Sequence, residues 1–325
     1  PDNISCGFPD SRCGRLVCHP HFGQSRAIGL SENIPVNLFT VQKPLAGKVI
    51  ENKRLTPASR GPKNDVRHVT IRYQEKMPYR PGQSVGVLAP GVDSVGKPHK
   101  LRLYSVASES AGDFGDGQTV SLCVVRHFWN NPKTGEKNIL GISSNYLCDL
   151  KAGDSVTLTG PVGRHFLLPG DFETRDLIFA ATGTGIAPYR GMLKEMFDTG
   201  FTGRVWLYFG VQYQDVVLYD GEFEAYRQHK NFFYVKVISR EEKNPIPDAI
   251  ATRDNRMYVQ VKMYQDRKTL GESLAQSKSM VYLCGLKGME DGIFQMLNKV
   301  GAEFGIKESF VAKLKAEQRL RVEVY

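Results

Sequence analysis

Cysteine is scarce in this sequence, and long apolar stretches are missing from it. Six cysteines among 325 residues are too few for a disulfide scaffold, which favours a reducing compartment. No apolar run approaches the roughly 20 residues of a membrane-spanning helix. The purest run, at 177–181, has the length of one strand. There is also no internal repeat and no low-complexity tract, so disulfide-rich, transmembrane and repeat proteins are excluded.

The charge is unbalanced towards the basic side, with a formal net charge of +9 and a sequence pI near 9.2. Such a surplus suits nucleic acid, an anionic membrane surface or an acidic protein as partner. A non-enzymatic basic module for the first two would interleave aromatic residues with its Lys/Arg runs. Residues 40–67 hold seven Lys/Arg against two Asp/Glu and no aromatic residue. We therefore expect no nucleic-acid partner.

Three segments of the sequence differ in their pattern of apolar and polar residues. Residues 1–39 have little periodicity and are predicted to be a flexible N-terminal extension. Its cysteines and histidines match no zinc-binding spacing, so no metal site is expected. This cluster comprises Cys6, Cys13, Cys18, His19 and His21.

Residues 40–168 carry short strand patterns, such as 69–73 and 119–128, separated by Gly, Pro and Asn clusters. This predicts an antiparallel β-barrel domain. In residues 169–325 strand patterns alternate with helical ones, which predicts an α/β domain with a doubly wound parallel sheet.

A glycine turn, Gly183-Thr184-Gly185, follows an apolar strand and precedes a helical pattern. Backbone N–H groups and the helix dipole at such a turn can hold a pyrophosphate. Pro188 stands where the familiar dinucleotide-binding motif has its third glycine, and proline suits a first helical turn. A turn that merely reverses the chain is the alternative.

Other residues stand at predicted strand ends. Ser239 and Arg240 follow one strand, where an arginine suits a 2′-phosphate; a solvated charged stretch is the alternative. Arg256 and Tyr258 could complete that clamp. Cys284 ends another strand, and it is either a small buried apolar residue or a neighbour of a redox cofactor.

Eight blocks of sequence together resemble one family, plant-type ferredoxin–NADP(+) reductase. The blocks are KPHKLRLYSVAS, TVSLCVVR, SSNYLCDL, TGPVGR, ATGTGIAPYRGML, RMYVQ, YLCGLKGME and the final VEVY. They stand in the family's order and spacing, and the similarity covers about residues 38–325. The resemblance implies an FAD-dependent enzyme that exchanges electrons between NADP(H) and the iron–sulfur protein ferredoxin.

The resemblance also assigns residues to roles. The site of hydride transfer would be surrounded by Ser105, Cys284, Glu323 and Tyr325, with the Tyr325 ring over the flavin face opposite Tyr104. FAD would be held by Arg102, Tyr104, Ser105, Cys123, Val124, Trp129, Gly141, Ile142, Ser143 and Ser144. NADP would be held by Thr184, Val211, Ser239, Arg240, Arg256, Tyr258, Gln260, Gly285 and Leu286. Glu323 would be a further cofactor contact.

Some positions depart from the family's pattern. Val125 stands where a Lys or Arg usually helps hold the NADP phosphate, so nucleotide binding should weaken unless Arg126 or another cation substitutes. Trp129 replaces a tyrosine that stacks on the FAD adenine, and Ser143 replaces a cysteine. Gln212 replaces a proline. These changes bear on affinity more than on the reaction.

The basic surplus suits an acidic partner of the ferredoxin kind. Lys97, Lys100, Lys313 and Lys315 are expected to contribute to its binding. We further expect a monomer located in a plastid, and the high pI slightly favours electron flow from NADPH to ferredoxin. A bacterial-type flavodoxin reductase and the reductase module of a diflavin enzyme share the architecture and remain as alternatives.

Overall fold

The computed structural model describes residues 34–325. The cysteine–histidine cluster and most of the predicted extension lie outside these residues. Residues 34–39 run along the first domain: Asn37 and Phe39 donate backbone hydrogen bonds to Pro161 and Gly160, and Phe39 is buried. Within the described part of the chain, no helix is both long and apolar enough to cross a membrane.

The first domain is a barrel-like antiparallel sheet, as the sequence predicted. Its elements are β1 (Leu45–Arg54), β2 (Val66–Tyr73), β3 (Ser84–Leu88), β4 (Arg102–Ser105), β5 (Thr119–Val125), β6 (Phe128–Trp129), β7 (Ile139–Leu140), α1 (Ile142–Asp149) and β8 (Ser155–Val162). Six strands have the order β4-β3-β8-β1-β2-β5, and β6 pairs with β7 separately. No continuous ladder closes the six strands; a single bridge joins Val106, just past β4, to Leu122 in β5.

Strand β5 is buried on both faces. Val120, Leu122 and Val124 point into the core of the barrel. Cys123, on the opposite face, belongs to the core of the second domain. Because side chains alternate along a strand, one strand supplies apolar surface to both domains. The two domains therefore share a packed boundary along β5.

The second domain is the predicted parallel α/β sheet. Its elements are β9 (Asp176–Thr182), α2 (Ala187–Asp198), β10 (Val205–Val211), α3 (Asp220–Tyr226), β11 (Phe232–Ile238), α4 (Val259–Gln265), α5 (Arg267–Leu274), β12 (Ser279–Gly285), α6 (Met289–Glu303), α7 (Phe310–Ala316) and β13 (Leu320–Val324). The strand order is β11-β10-β9-β12-β13. Helices α2 and α3 cover one face and α4 to α7 the other.

This strand order fixes where a ligand can bind. The chain moves outward from β9 to β11 and then returns to place β12 on the other side of β9. The connections on the two sides of β9 therefore run to opposite faces, which leaves a crevice at the carboxyl ends of β9 and β12. The glycine turn and Cys284 both lie at this crevice.

A buried arginine holds the opposite end of this sheet together. Arg319, which is 6% exposed, donates to the carbonyl oxygens of Ser279 (2.8 Å), Leu274 (2.7 Å) and Gln276 (2.6 Å), and it pairs with Glu317. Leu274 ends α5, Ser279 begins β12, and Gln276 lies between them. One planar guanidinium thus satisfies several acceptors that could not reach water.

We expect Arg319→Met to lower the free energy of unfolding by about 2–4 kcal/mol, because buried carbonyls and Glu317 lose their donor. Denaturant unfolding followed by circular dichroism measures it. Arg72→Met is the matched control, since the ion pair of Arg72 with Asp116 is largely exposed and worth at most about 1 kcal/mol. Equal losses in both variants would contradict the role given to Arg319.

Candidate functional site

The glycine turn after β9 is locked against the end of β12. A Cβ atom added at Gly185 would lie 2.2 Å from the carbonyl oxygen of Cys284, and one added at Gly285 would lie 2.1 Å from Thr182 Oγ1. The backbone N–H of Leu286 donates to the same Thr182 oxygen at 3.0 Å. Only glycine permits this approach. The turn leads through a 3-10 segment into α2, which has Pro188 in its first turn, so the N–H groups there can receive a pyrophosphate.

Tyr325 lies across this turn. Its hydroxyl is 2.6 Å from Thr184 Oγ1, so the two side chains share a hydrogen bond. Its backbone N–H donates to Gly285, and its carbonyl accepts from Lys287. The residue as a whole is nevertheless 55% exposed, although burial raises the pKa of its hydroxyl. The backbone of Tyr325 is thus fixed while its ring stands at the surface of the crevice.

Glu323 connects the second domain to the first. It lies beside Cys284 in the register of β12 and β13, and Ser84 Oγ donates to its Oε1 at 3.4 Å. Burial raises the pKa of Glu323 above the ordinary value, and the Ser84 hydrogen bond opposes that shift. Cys284 is fully buried, and burial raises the pKa of its thiol well above the usual range. Cys284 is therefore a packing residue here and not a nucleophile.

Ser84 was missed by the sequence analysis, which gave Ser105 alone. Ser105 lies directly opposite Ser84 in the antiparallel register of β3 and β4. The two serines are therefore neighbours, and in the described chain it is Ser84 that hydrogen-bonds to Glu323. Pairing QSVGVL with RLYS as a hairpin would have placed Ser84 beside the site.

Strand β4 presents groups that fit FAD. Arg102 is exposed, and its guanidinium has no hydrogen bond or ion pair with any described residue. Tyr104 is half-buried against the barrel core, and this burial raises the pKa of its hydroxyl. An unpaired cation beside a partly open aromatic ring suits a phosphate and a flat heterocycle.

The β6–β7 hairpin supplies a second feature that fits FAD. Trp129, Leu140 and Ile142 are 42%, 54% and 52% exposed, an unusual concentration of open apolar surface. Gly141 precedes α1 between two of them, and Ser144 donates to its carbonyl oxygen at 3.2 Å. Ser143, Cys123 and Val124 are buried, and Val124 belongs to the barrel core. The exposed trio is where an adenine ring could stack.

Several of the predicted NADP residues lie near the β10–β11 edge of the second sheet. Ser239 donates to the Val211 carbonyl at 3.1 Å, which joins the ends of β10 and β11. A bridge between Lys243 and Arg256 then brings the segment containing Arg256 and Tyr258 alongside. Arg240 is exposed and, within the described chain, its side chain has no ion pair or hydrogen bond. A free guanidinium at this edge fits a 2′-phosphate.

Three further predicted residues have distinct positions. Gln260 lies in α4, with its amide close to Gly292 of α6. Leu286 is 58% exposed beside Gly285. Arg126, considered as a substitute for the cation missing at Val125, pairs with Asp65 (3.1 Å) and Asp149 (2.6 Å). Its guanidinium is therefore already neutralised.

The structure separates the four lysines predicted to bind a partner. Lys97 and Lys100 are exposed on the loop that leads into β4 and Arg102. Lys313 lines a cavity with Arg319, and Arg319 binds Ser279, the first residue of β12. Gly285, at the crevice, ends the same strand. The length of β12 therefore separates this cavity from the crevice by about 20 Å. Lys315 lies over the Phe294 ring at 4.5 Å.

Comparisons with known proteins agree with this geometry. A family model described as Oxidoreductase NAD-binding domain matches residues 179–295, which include the glycine turn and Cys284. The chain is 41% identical over 304 residues to the chloroplastic ferredoxin–NADP reductase of Mesembryanthemum crystallinum, covering 91% of this chain and 80% of that protein. It is 40% identical to the ferredoxin–NADP reductase of a Spirulina species, covering 90% of this chain and 99% of the relative.

Solved structures give the same result. The ferredoxin–NADP(+) reductase of Plasmodium falciparum with 2′P-AMP has a TM-score of 0.70 at 26% identity. That match covers 90% of this chain and 100% of the other. Identity of about 40% across nine-tenths of the sequence, together with this shared architecture, shows that the chain belongs to the ferredoxin–NADP reductase family.

Proposed function

We propose that this enzyme transfers electrons between NADP(H) and ferredoxin, with FAD held by residues 40–168 and NADP(H) by residues 169–325. The contact between Ser84 and Glu323 carries this proposal, because it joins the edge of the barrel to the crevice of the α/β domain. When bound, FAD supplies the ability to take up two electrons together and release them singly. NADP(H) exchanges two electrons, whereas an iron–sulfur partner exchanges one.

The residues of the second domain act by binding and orienting the nucleotide. The N–H groups at the start of α2 receive the pyrophosphate, and the unpaired Arg240 selects a 2′-phosphate over a bare hydroxyl. Arg256 is ion-paired with Asp254 at 2.9 Å, so it contributes less free charge than Arg240 does. This set of donors favours NADP over NAD.

Tyr325 acts as a gate. Its ring covers the crevice and is held by Thr184, a residue of the pyrophosphate turn. A nicotinamide ring that enters beside Cys284 must displace it. The fixed backbone of Tyr325 keeps the ring close by, so that it returns when the nucleotide leaves.

Ferredoxin is expected to approach along the loop that carries Lys97 and Lys100. These exposed lysines directly precede Arg102 in β4. Cations beside the cofactor would draw an acidic protein towards it and raise the association rate at low salt. The chloroplastic names of plant relatives support a plastid as the location, and we propose that the enzyme acts there as a monomer.

Glu323 gives a pH prediction. A group whose pKa is raised on folding adds stability below its unfolded pKa and loses it as the pH rises through the folded pKa. Glu323→Gln removes the cost of the buried charge. We expect the variant to have a higher Tm than the parent at pH 8, with the gain fading towards pH ~4. Glu136→Gln, at an exposed position, should show no such trend. A gain independent of pH would contradict this reading.

Tyr325→Ser should bind NADP(+) more tightly by roughly 5- to 100-fold, because the nucleotide no longer displaces an aromatic contact and a hydrogen bond. Turnover should slow as product is retained. Titration with NADP(+), followed by flavin absorbance, measures the affinity. Tyr325→Phe keeps the ring and loses only the bond to Thr184, so its gain should be small. An unchanged Kd in the serine variant would contradict the role of Tyr325 as a gate.

Lys97→Glu with Lys100→Glu should raise the KM for ferredoxin by at least about 5-fold at low salt, through lost attraction and added repulsion. Reduction of ferricyanide should stay within about 2-fold of the parent, because a small acceptor needs no docking surface. Lys313→Glu with Lys315→Glu is the matched comparison and should have the smaller effect. Turnover measured in both directions tests the function itself; no ferredoxin-linked activity in the unaltered enzyme would overturn it.

A further inference from the structure

Helix α2 lies against the segment that follows β4. A Cβ atom added at Gly191 would be 2.3 Å from the carbonyl oxygen of Ser108. One turn later, Glu195 accepts a hydrogen bond from the Ser110 hydroxyl at 2.6 Å. This helix begins at the pyrophosphate turn, while residues 106–113 continue the strand that carries Arg102, Tyr104 and Ser105. The two contacting elements therefore lead to the two halves of the site.

Arg190 is the centre of this contact. One of its terminal nitrogens donates to the Ala107 carbonyl at 2.8 Å and to Asp113 at 2.7 Å, both in the first domain. Its Nε donates to Glu222 in α3 at 2.7 Å, and the guanidinium lies 5.0 Å from the centre of the Tyr219 ring. Its side chain is only 14% exposed. One cation thus bonds to both domains at once.

Asp113 extends the contact into the barrel. His68 of β2 and Ser121 of β5 contact its carboxylate at 2.9 Å and 2.6 Å. The other ring nitrogen of His68 is 3.0 Å from the Tyr219 hydroxyl, which returns to the second domain. The result is a closed polar network beside the apolar residues that the two domains share at this boundary. Such networks fix one arrangement, because a shift leaves buried groups unpaired.

The position of Arg190 along the chain matters for the reaction. It is three residues past Ala187, where α2 begins, and so lies within one turn of the pyrophosphate turn. Its acceptor Ala107 is two residues past Ser105. A displacement of Arg190 from its acceptors would therefore shift the glycine turn directly relative to β4.

We propose that Arg190 is a positioning residue that sets the distance and angle between the nicotinamide-binding and flavin-binding halves of the site. This inference rests on the proposed function. A guanidinium is required because its rigid fork reaches Ala107, Asp113 and Glu222 together; an ammonium group on a flexible stem keeps the charge but not this geometry. Misplacement of about 1 Å between reacting groups can slow a reaction about 100-fold.

The test is Arg190→Lys in the full-length, flavin-loaded enzyme. We expect flavin reduction by saturating NADPH, measured in a single turnover, to slow by about 10- to 100-fold. The Kd for 2′,5′-ADP, which needs only the second domain, should stay within about 2-fold. Amide hydrogen exchange in residues 107–113 should accelerate. Should the lysine variant fail to retain flavin, Asp113→Asn, which keeps the shape of the side chain, takes its place.

Two arginines serve as matched controls. Arg267 has the same pattern of an ion pair, with Glu303 at 3.0 Å, and a tyrosine ring, Tyr264 at 4.6 Å, but all inside the second domain. Arg60 also joins the domains, through Asp215 at 2.9 Å, but the pair is exposed. Arg267→Lys and Arg60→Lys should leave the single-turnover rate within about 2-fold.

The possible results distinguish the positioning role of Arg190 from the proposed function on which it rests. A normal rate in Arg190→Lys alongside faster exchange would show that the network only stabilises the fold, and it would overturn the positioning role. An equal loss of rate in Arg267→Lys would overturn it as well. If the unaltered enzyme itself is not reduced by NADPH, the proposed function fails, whereas the exchange data still report whether Arg190 joins the domains.

Discussion

The close approach of two backbone segments, Gly185 after β9 and Gly285 at the end of β12, is the constraint on which the site depends. No side chain fits at either position, since an added Cβ would overlap a backbone carbonyl or the Thr182 hydroxyl. This contact holds the glycine turn beside Cys284 and fixes the position of Tyr325, because the Tyr325 backbone bonds to Gly285 and Lys287. A rigid backbone platform thus supports Tyr325, the side chain that we propose as a gate.

A second level of order comes from the boundary between the domains. β5 gives alternate faces to the two cores, so the domains cannot separate without exposing apolar surface. Burial of apolar surface is non-directional, so it does not by itself prevent one domain from sliding over the other. We propose that the Asp113–Arg190 network and the hydrogen bond between Ser84 and Glu323 fix the relative orientation of the domains. In this account, apolar contact holds the two domains together and polar contacts determine their relative orientation.

Sequence patterns predicted the architecture because its signals are strong: alternation in the barrel strands, apolar runs in the parallel sheet and a glycine turn between β9 and α2. They missed β1, where a glycine, Gly47, occupies a buried position and an irregularity between Val49 and Glu51 interrupts the alternation. They also missed α4 and α5, which are short and separated by Asp266 alone. Ser84 and Arg190 escaped notice for another reason. Each acts through a partner more than 75 residues away in the chain, and no local pattern encodes such a pairing.

The pairing of the arginines separates those available to ligands from those that hold the fold. Arg126, Arg190 and Arg319 each contact several acceptors and are largely buried. Arg102 and Arg240 are exposed, and neither has an ion pair within residues 34–325. A cation without an internal partner keeps its full charge for a phosphate, whereas a paired one would first have to break its bonds. These two guanidiniums stand in different domains, Arg102 on the strand that carries Tyr104 and Arg240 at the edge of the parallel sheet. That distribution matches an enzyme that must hold two phosphate-bearing cofactors at once.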